Sequence, residues 1–360
     1  MRRLIIAACA AGLGIALCSG TAASAQASGT IVVGPGQSIQ AAINRAHPGD
    51  TVLIKPGVYH QSVQIRKDGI TLRGSGHSRG GTVLVPPRVF PNTACHRFFG
   101  KNGICILAKK LDLKTGVVTT PVRHDTVTNL MVRGFPGIGV AGFGTVGMRV
   151  TKVAAINNGE YGIARFESSR TLFAHNIATG SEEAGLYVGD SPHADTVVRN
   201  NRASGNMFGI FIRHARHILV KHNQLSGNCQ GILVLDDGQR GGAGSTAIVG
   251  NSAVKNNKSC PKSEEGPALR GGGILLLGAT RTLVTHNAVF GNRGKKINSG
   301  GIVVLSAREI TKGSNPNFDV ITHNTAFRNH PADLIWDGTG IGVRFRHNHC
   351  GTSNPPGFCH

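Results

Sequence analysis

The sequence is short of aromatic and of acidic residues. It has one tryptophan and three tyrosines in 360 residues, and 18 acidic side chains against 39 lysines and arginines, a formal net charge of +21. So few tryptophans and tyrosines argue against an extended aromatic platform for sugars. The positive balance favours an anionic partner, such as an acidic polysaccharide or a wall polymer. A surface charge that only keeps the protein soluble is the alternative interpretation.

Long apolar runs are also missing beyond the N-terminus. No later segment approaches the ~20 apolar residues that a transmembrane helix needs. Residues 1–25 hold two early arginines, an apolar run over Leu4–Cys18 and small residues before Gln26, which is typical of a secretory signal peptide. We therefore expect residues 26–360 to be exported to the extracellular space, the periplasm or the cell wall.

The cysteines lack the Cys-x-x-Cys and Cys/His spacings of zinc sites. Eight cysteines, less Cys9 and Cys18 of the leader, leave six, and an even number in an exported chain indicates a disulfide framework. Proximity in sequence favours the first and last pairs, and equivalent repeat positions favour the middle pair. The predicted pairs are Cys95–Cys105, Cys229–Cys260 and Cys350–Cys359.

Glycine, by contrast, is abundant, with 51 residues, most of them at periodic positions. Every two dozen residues or so, a Gly opens an alternating apolar run, and three short strand-like pieces without a helical pattern fill the interval. Such a period is typical of a solenoid. The repeated openings are Gly137-Ile138, Gly162-Ile163, Gly185-Leu186, Gly209-Ile210, Gly231-Ile232, Gly273-Ile274 and Gly301-Ile302.

Each unit closes on an Asn with a second Asn five residues on. We expect this Asn to bind its counterpart in the next rung and to occupy a turn that needs a left-handed backbone. The residues three before and two after it are apolar and are predicted to point inward. The Asn pairs are Asn201/Asn206, Asn223/Asn228, Asn251/Asn256, Asn287/Asn292 and Asn324/Asn329.

These features resemble the right-handed parallel β-helix, or pectin-lyase-like, superfamily over essentially the whole mature chain. The run GEYGIARFESS, GLYVGDS, GIFIRH and GILVLDDG is similar to secreted bacterial parallel-β-helix-repeat proteins. The resemblance implies an all-β solenoid with a short N-terminal capping helix. We expect a single domain over 26–360, with a cap at 29–75, a loop excursion at 86–125, repeats at 126–349 and a disulfide-closed end at 350–360.

The cap is predicted from a short amphipathic segment. Ser38 is a suitable N-cap, and Ile39, Ala42, Ile43 and Ala46 share one face that would cover the open end of the core. An uncovered terminal rung would present unpaired strand edges.

Polar residues follow the Gly-Ile strand at one repeated position and are the candidate catalytic groups. In a parallel coil they should form a column with ~4.8 Å steps. Stacked carboxylates repel, which raises at least one pKa and favours a retained proton, a shared cation such as calcium, or an interleaved base. The predicted catalytic residues are Glu167, Asp190, His214 and Asp236.

Several reactions fit this column. Glu167 and Asp190 suit a retaining glycoside hydrolase, and Asp190 with Asp236 an inverting one. For a lyase or epimerase, Arg213 would neutralise a uronate and His214 would act as the base. The predicted substrate-binding residues are Tyr187, Phe211, Arg213, Arg216, Asp237 and Arg240.

Known catalytic motifs of the superfamily are not intact here. Tyr161-Gly162-Ile163 begins like the epimerase motif, but Arg165-Phe166 replaces its D-P-H core. The alternative interpretation is that these polar residues only end strands and satisfy turn amides.

Five His-Asn dipeptides invite a metal hypothesis. Three of the imidazoles should stack in the last rungs, but turn residues that face solvent are the favoured interpretation, and no metal site is predicted. The dipeptides begin at His175, His222, His286, His323 and His347.

Two functions therefore remain. The first is a secreted enzyme that holds an acidic polysaccharide and cleaves or epimerises it, with no cofactor required and calcium left open. The second is a non-catalytic module that binds polyanions at a surface or matrix. In both cases we expect a monomer without specific nucleic-acid binding.

Overall fold

The computed structural model describes residues 28–78, 80–262 and 268–360. The predicted signal peptide lies outside the described residues. The chain winds into a coil of parallel strands, and each full turn contributes one strand to each of three faces. We call them faces A, B and C, in the order in which the chain meets them.

In each face, every strand pairs in parallel with the equivalent strand of the next turn, so each face is a parallel sheet. Face A contains Thr30–Val33, Thr51–Ile54, Thr71–Arg73, Leu172–Ala174, Thr196–Arg199, Gly244–Val249, Leu283–Thr285, Val320–Thr322 and Arg344–Arg346. Face B contains Gly57–His60, Thr82–Val85, Ile177–Thr179, Arg202–Ser204, Gln224–Ser226, Ser252–Val254, Ala288–Phe290, Thr325–Phe327 and His349–Cys350. Face C contains Val63–Ile65, Ile104–Leu107, Val140–Phe143, Ile163–Phe166, Ala184–Ser191, Gln230–Leu235, Gly272–Leu277, Gly300–Leu305, Leu334–Trp336 and Ser353–Asn354.

Three longer strands turn a corner without a break. Thr126–Arg133 and Arg149–Ile156 run from face A into face B, and Phe208–Lys221 runs from face C into face A. The remaining short strands are Val122–Arg123 and Thr145–Val146, which pair in parallel, and Lys110–Leu111 and Val118–Thr120, which form an antiparallel hairpin. The helices are α1 (Ile39–Arg45), α2 (Ala94–Phe99) and α3 (Arg308–Thr311).

The core fills the centre of the coil, as the repeat pattern predicts. The residues three before and two after each ladder Asn are buried along the coil, and in the last turn Phe345 and Cys350 are partly exposed. They are Phe173, Val198, Val220, Ile248, Val284 and Ile321 in the first set, and Ala178, Ala203, Leu225, Ala253, Val289 and Ala326 in the second.

The predicted Asn ladder is confirmed. Asn251 Nδ2 donates to Asn287 Oδ1 at 3.0 Å, and Asn287 Nδ2 donates to Asn324 Oδ1 at 2.9 Å. The left-handed residue, however, is the one before the ladder Asn: His222 has φ 54 and His286 has φ 54. The expectation of a left-handed Asn was wrong, because the Asn must keep its own N–H directed at the next ladder oxygen.

Two details of the repeat also differ from expectation. The register partner of Ile163 is Val140, so the repeat glycine of that turn is Gly139 and not Gly137. Within the expected excursion at 86–125, Ile104–Leu107 is a regular strand of face C. A disulfide from Cys95 to Cys105 ties α2 to this strand.

Both ends of the coil are closed. Ser38 caps α1 by accepting from Ala41 N at 3.1 Å, and the predicted apolar face of the helix is buried against the first turns. At the C-terminus, Phe358 stacks on Phe345 at 4.2 Å between ring centroids. Disulfides join Cys229 to Cys260 and Cys350 to Cys359, the pairs expected from the spacing. In the described ranges, no helix has the length and apolar character needed to cross a membrane.

Candidate active site

The candidate column lies at the corner where face C ends and the chain turns toward face A. The register of face C aligns Glu167, Asp190 and His214, as the repeat spacing predicts. All three have a left-handed backbone, with φ of 44, 51 and 47. Gly144 and Gly278 are left-handed at the same position of two further turns, whereas Asp236, which the register aligns with His214, is not. A left-handed backbone is therefore common at this corner without being required.

His214 is held between two carboxylates. Its Nδ1 lies 3.0 Å from Asp190 Oδ1, and its Nε2 contacts Asp237 Oδ1. The ring is almost fully buried, with 3% of the side chain exposed. His214 is therefore placed to orient Asp190 through Nδ1, and its role as a base stays a prediction.

Asp237 continues the chain of contacts to Arg213. Arg213 donates from Nε at 2.9 Å and from Nη2 at 2.7 Å to Asp237 Oδ2. Both residues were predicted to bind substrate directly. The structure instead pairs them with each other, because a half-buried guanidinium needs a carboxylate partner.

Asp236 and Arg216 do not reach the site. Asp236 Oδ1 accepts from Gly238 N at 2.9 Å, an Asx turn that shapes the loop after face C, and the side chain is buried there. Arg216 Nη2 donates to Ser245 Oγ at 3.1 Å. These polar groups satisfy the local loop, and their roles in catalysis and in substrate binding stay predictions.

Tyr187 and Phe211 lie on the outer side of face C but are covered. Their exposed fractions are 1% and 4%. Tyr187 packs on Tyr161 at 4.5 Å and on Phe166 at 5.0 Å between ring centroids, and burial raises the pKa of Tyr187. The ring of Tyr187 therefore faces other aromatic rings, and its contact with substrate stays a prediction.

A cavity of about 640 Å³ opens beside the column. Glu167 and Asp190 line it, and Arg240 supplies a cation to the same lining. Burial raises the pKa of Glu167, and the charge of Asp190 adds to this effect, while the Arg165 guanidinium opposes it. Glu167 is thus poised to keep a proton next to a carboxylate. The other lining residues are Pro192, His193, His214, Gln239 and Gly241.

Arg165 is the residue that sequence reasoning missed. It is fully buried and points into the coil, at a slot where the next turns place Val188 and Ile212. It donates to Thr196 Oγ1 at 2.9 Å and also contacts Ser191 Oγ. Burial lowers its pKa to about 9, and the charge of Asp190 acts against that change. The sequence signal for its role was an arginine at a repeat position where the aligned turns have inward-pointing apolar residues.

The described residues contain no group of three His, Cys, Asp or Glu side chains arranged to hold a metal ion. Between Asp190 and Asp237, the imidazole of His214 occupies the place that a shared cation would take. The predicted His-Asn stack is confirmed at the far corner, where the rings of His286 and His323 lie 5.4 Å apart and those of His323 and His347 lie 5.1 Å apart.

A family model for the right handed beta helix region matches residues 136–315, and the chain belongs to this family. No curated protein matches it in sequence. Among solved structures, it is similar to the A-module of the mannuronan C-5 epimerase AlgE4 of Azotobacter vinelandii, with 17% identity and a TM-score of 0.56 over 87% of this chain and 92% of that one.

Two other solved structures have the same fold. The periplasmic alginate epimerase AlgG has 12% identity and a TM-score of 0.55, over 89% of this chain and 84% of that one. The DFA-IIIase of Arthrobacter chlorophenolicus A6 has 11% identity and a TM-score of 0.52, over 87% and 81%. At such identities the likeness shows the fold alone.

Proposed function

We propose that this chain is an exported enzyme that binds an acidic polysaccharide in the cavity beside Glu167 and Asp190 and cleaves it. The observation that carries the proposal is the pair of carboxylates one rung apart, open to a cavity that also contains Arg240. Two of the similar structures are named for mannuronan or alginate, and this agrees with an acidic polymer as substrate.

The two carboxylates have different surroundings and so suit different roles. Glu167, whose pKa is raised, donates its proton to the glycosidic oxygen of the leaving sugar. Asp190 is oriented by His214 through one oxygen, which leaves the other oxygen to attack the anomeric carbon. Their one-rung spacing of ~4.8 Å is near the ~5 Å of retaining glycosidases. Arg240 would hold a carboxylate of the bound polymer.

The charged residues around Glu167 and Asp190 support the proposed roles of these two carboxylates. Asp237, which Arg213 binds, contacts the second nitrogen of His214 and so packs against the imidazole on the side away from Asp190. Arg165 places a positive charge inside the coil beneath both carboxylates. Neither His214 nor Arg165 needs to touch the polymer to act.

The test is incubation of the purified chain with polymannuronate, polygalacturonate and a neutral glucan, following new reducing ends and unsaturated uronides together. We expect reducing ends from an acidic polymer, and a loss of at least a hundredfold in rate in Glu167→Gln and Asp190→Asn. Asp112→Asn, in the exposed hairpin and outside the residues that line the cavity, is the matched control. Activity that persists in both site variants would overturn the assignment. Unsaturated products would show that the reaction is elimination and not hydrolysis.

The pH dependence gives a second readout. Because the pKa of Glu167 is raised, the alkaline limb of the rate profile should lie above the ordinary glutamate range. Arg165→Met removes the charge that opposes this shift, so the limb should move to higher pH. An unchanged limb would argue that Glu167 is not the acid.

One observation favours a non-catalytic alternative. Glu167, Asp190 and His214 are left-handed turn residues, and the Asp190–His214–Asp237 contacts stabilise those turns by themselves. A protein that cleaves none of the polymers but still binds polyuronates through Arg240 would be a polyanion-binding module.

A further inference from the structure

The outer side of face C carries a second cavity, a groove of about 780 Å³ distinct from the carboxylate cavity. Its floor consists of outward-pointing residues from four successive turns. Phe211, Leu233 and Leu275 lie in register along one row. Leu235, Leu277 and Leu305 form the next row.

Both outward rows of face C are apolar here, which distinguishes it from face A. A sheet with one buried side normally alternates apolar and polar residues along each strand. Face A has one apolar outward row, which includes Leu219 and Leu283, but its second outward row includes Arg199, Lys221 and Thr322. The two leucine rows of face C therefore define a separate apolar site.

The rim of the groove is also apolar. Ile297 and Ile310, the latter on α3, line the groove with 61% and 48% of their surface exposed. Isolated exposed isoleucines are common on protein surfaces, but these two stand on either side of a leucine floor. A bound apolar chain would cover both of them.

Polar groups gather at one part of the rim. Lys262 and Lys296 line the groove there and are exposed. Asn298 also lines it, and its side-chain oxygen is buried without a partner among the residues that the structure describes. Glu183 also lines the groove, as do Arg213 and Asp237, which are paired with each other. Lys262 and Lys296 thus supply the positive charge for a single anionic head.

We propose that this groove binds a free, single-chain fatty carboxylate. The alkyl chain lies along the leucine rows, and the carboxylate is held by Lys262, Lys296 and the amide of Asn298, which can present its nitrogen by rotation. A membrane surface is a poorer occupant, since Leu275 and Leu305 are each only 2% exposed at the bottom of the groove. This inference does not depend on the proposed function.

The experiment is calorimetric titration of the purified full chain with octanoate, decanoate and dodecanoate. Affinity should rise with length, by up to about fourfold for each methylene that becomes fully buried. The double variant Lys262→Gln/Lys296→Gln should weaken dodecanoate binding roughly tenfold, at a few-fold for each exposed ion pair, and should leave dodecanol binding unchanged. Lys255→Gln/Arg328→Gln, which removes the same charge from face B, is the matched control.

Exposed rim variants avoid a folding defect. Ile297→Ser/Ile310→Ser should weaken all three ligands and weaken dodecanoate most. The proposal is overturned if dodecanoate does not bind, if affinity is independent of chain length, or if only anionic vesicles bind. Glu167→Gln should bind dodecanoate like the natural chain, so failure here and failure of the polysaccharide assay are separate results.

Discussion

At the scale of single residues, two carboxyl groups lie inside the coil at a position that a threonine or an apolar residue occupies in most other turns. Asp125 and Asp319 directly precede strands of face A and are buried. Each accepts one backbone N–H, from Ile70 at 2.8 Å and from Thr282 at 2.7 Å, and the second oxygen of each has no partner in the described structure. Burial raises the pKa of Asp125 to about 8 and that of Asp319 to about 7.

Asp319 should therefore make stability depend on pH. A carboxyl whose folded pKa is raised favours the folded state at low pH, and that contribution is lost as pH rises from about 4 through about 7. Asp319→Asn keeps the acceptor for Thr282 without the charge. We expect an unchanged Tm at pH 4 and a gain at pH 8 of up to about 4 kcal/mol in the free energy of unfolding.

Thermal unfolding from pH 4 to 9 measures this effect. The control is Glu309→Gln, which removes an exposed carboxylate from α3. Equal curves for Asp319→Asn and the natural chain at pH 8 would mean that the carboxyl is solvated in the folded state.

At the scale of the element, the repeating turns of the coil were more predictable from the sequence than the contacts of their loop side chains. The inward residues and the Asn ladder follow from repeated spacing, because a position that recurs in every turn meets the same neighbours. The role of Asp237 did not follow, because Asp236 has the matching repeat position while Asp237 is the one that contacts His214. Contacts between loop side chains depend on loop geometry, which spacing does not encode.

The same reasoning explains the errors in the N-terminal half. Gly137 and Gly139 both precede an apolar residue, and only the pairing with Ile163 distinguishes them. Ile104–Leu107 was assigned to a loop because α2 and the hairpin interrupt the period on either side of it. Interrupted repeats lose the regular spacing on which the prediction depends.

The Asn ladder gives a prediction at this scale. Asn251 donates to Val220 O and Asn287 Oδ1, and its own oxygen accepts from the backbone and side chain of Asn223, all at 2.9 to 3.0 Å. Asn251→Ala leaves several buried groups without partners, so we expect a loss of about 3 kcal/mol in stability. Asn348→Ala, at the last rung of the ladder, should cost less, because Asn348 makes fewer ladder bonds.

Denaturant unfolding of the two variants tests the ladder. Equal losses at the centre and at the end would show that each Asn acts only on its own turn. A larger loss at Asn251 would show that the ladder couples neighbouring turns, as expected for a solenoid.

At the scale of the whole molecule, the net charge of +21 should govern attraction to polyanions more than the local site does. Exposed charges act over a Debye length of about 10 Å at 0.1 M salt and about 3 Å at 1 M. We therefore expect the purified chain to be retained on immobilised polyuronate at 0.1 M NaCl and released well below 1 M, with no retention on a neutral glucan.

Arg240→Gln distinguishes the contribution of the cavity to polymer binding from that of the overall charge. Removing one cation from the cavity should lower affinity a few-fold at low salt but leave the steepness of the salt dependence almost unchanged, because the other basic residues remain. Arg328→Gln, an equal charge change on face B, is the control and should have less effect. If both variants weaken binding equally, retention reflects overall charge and the cavity does not select the polymer.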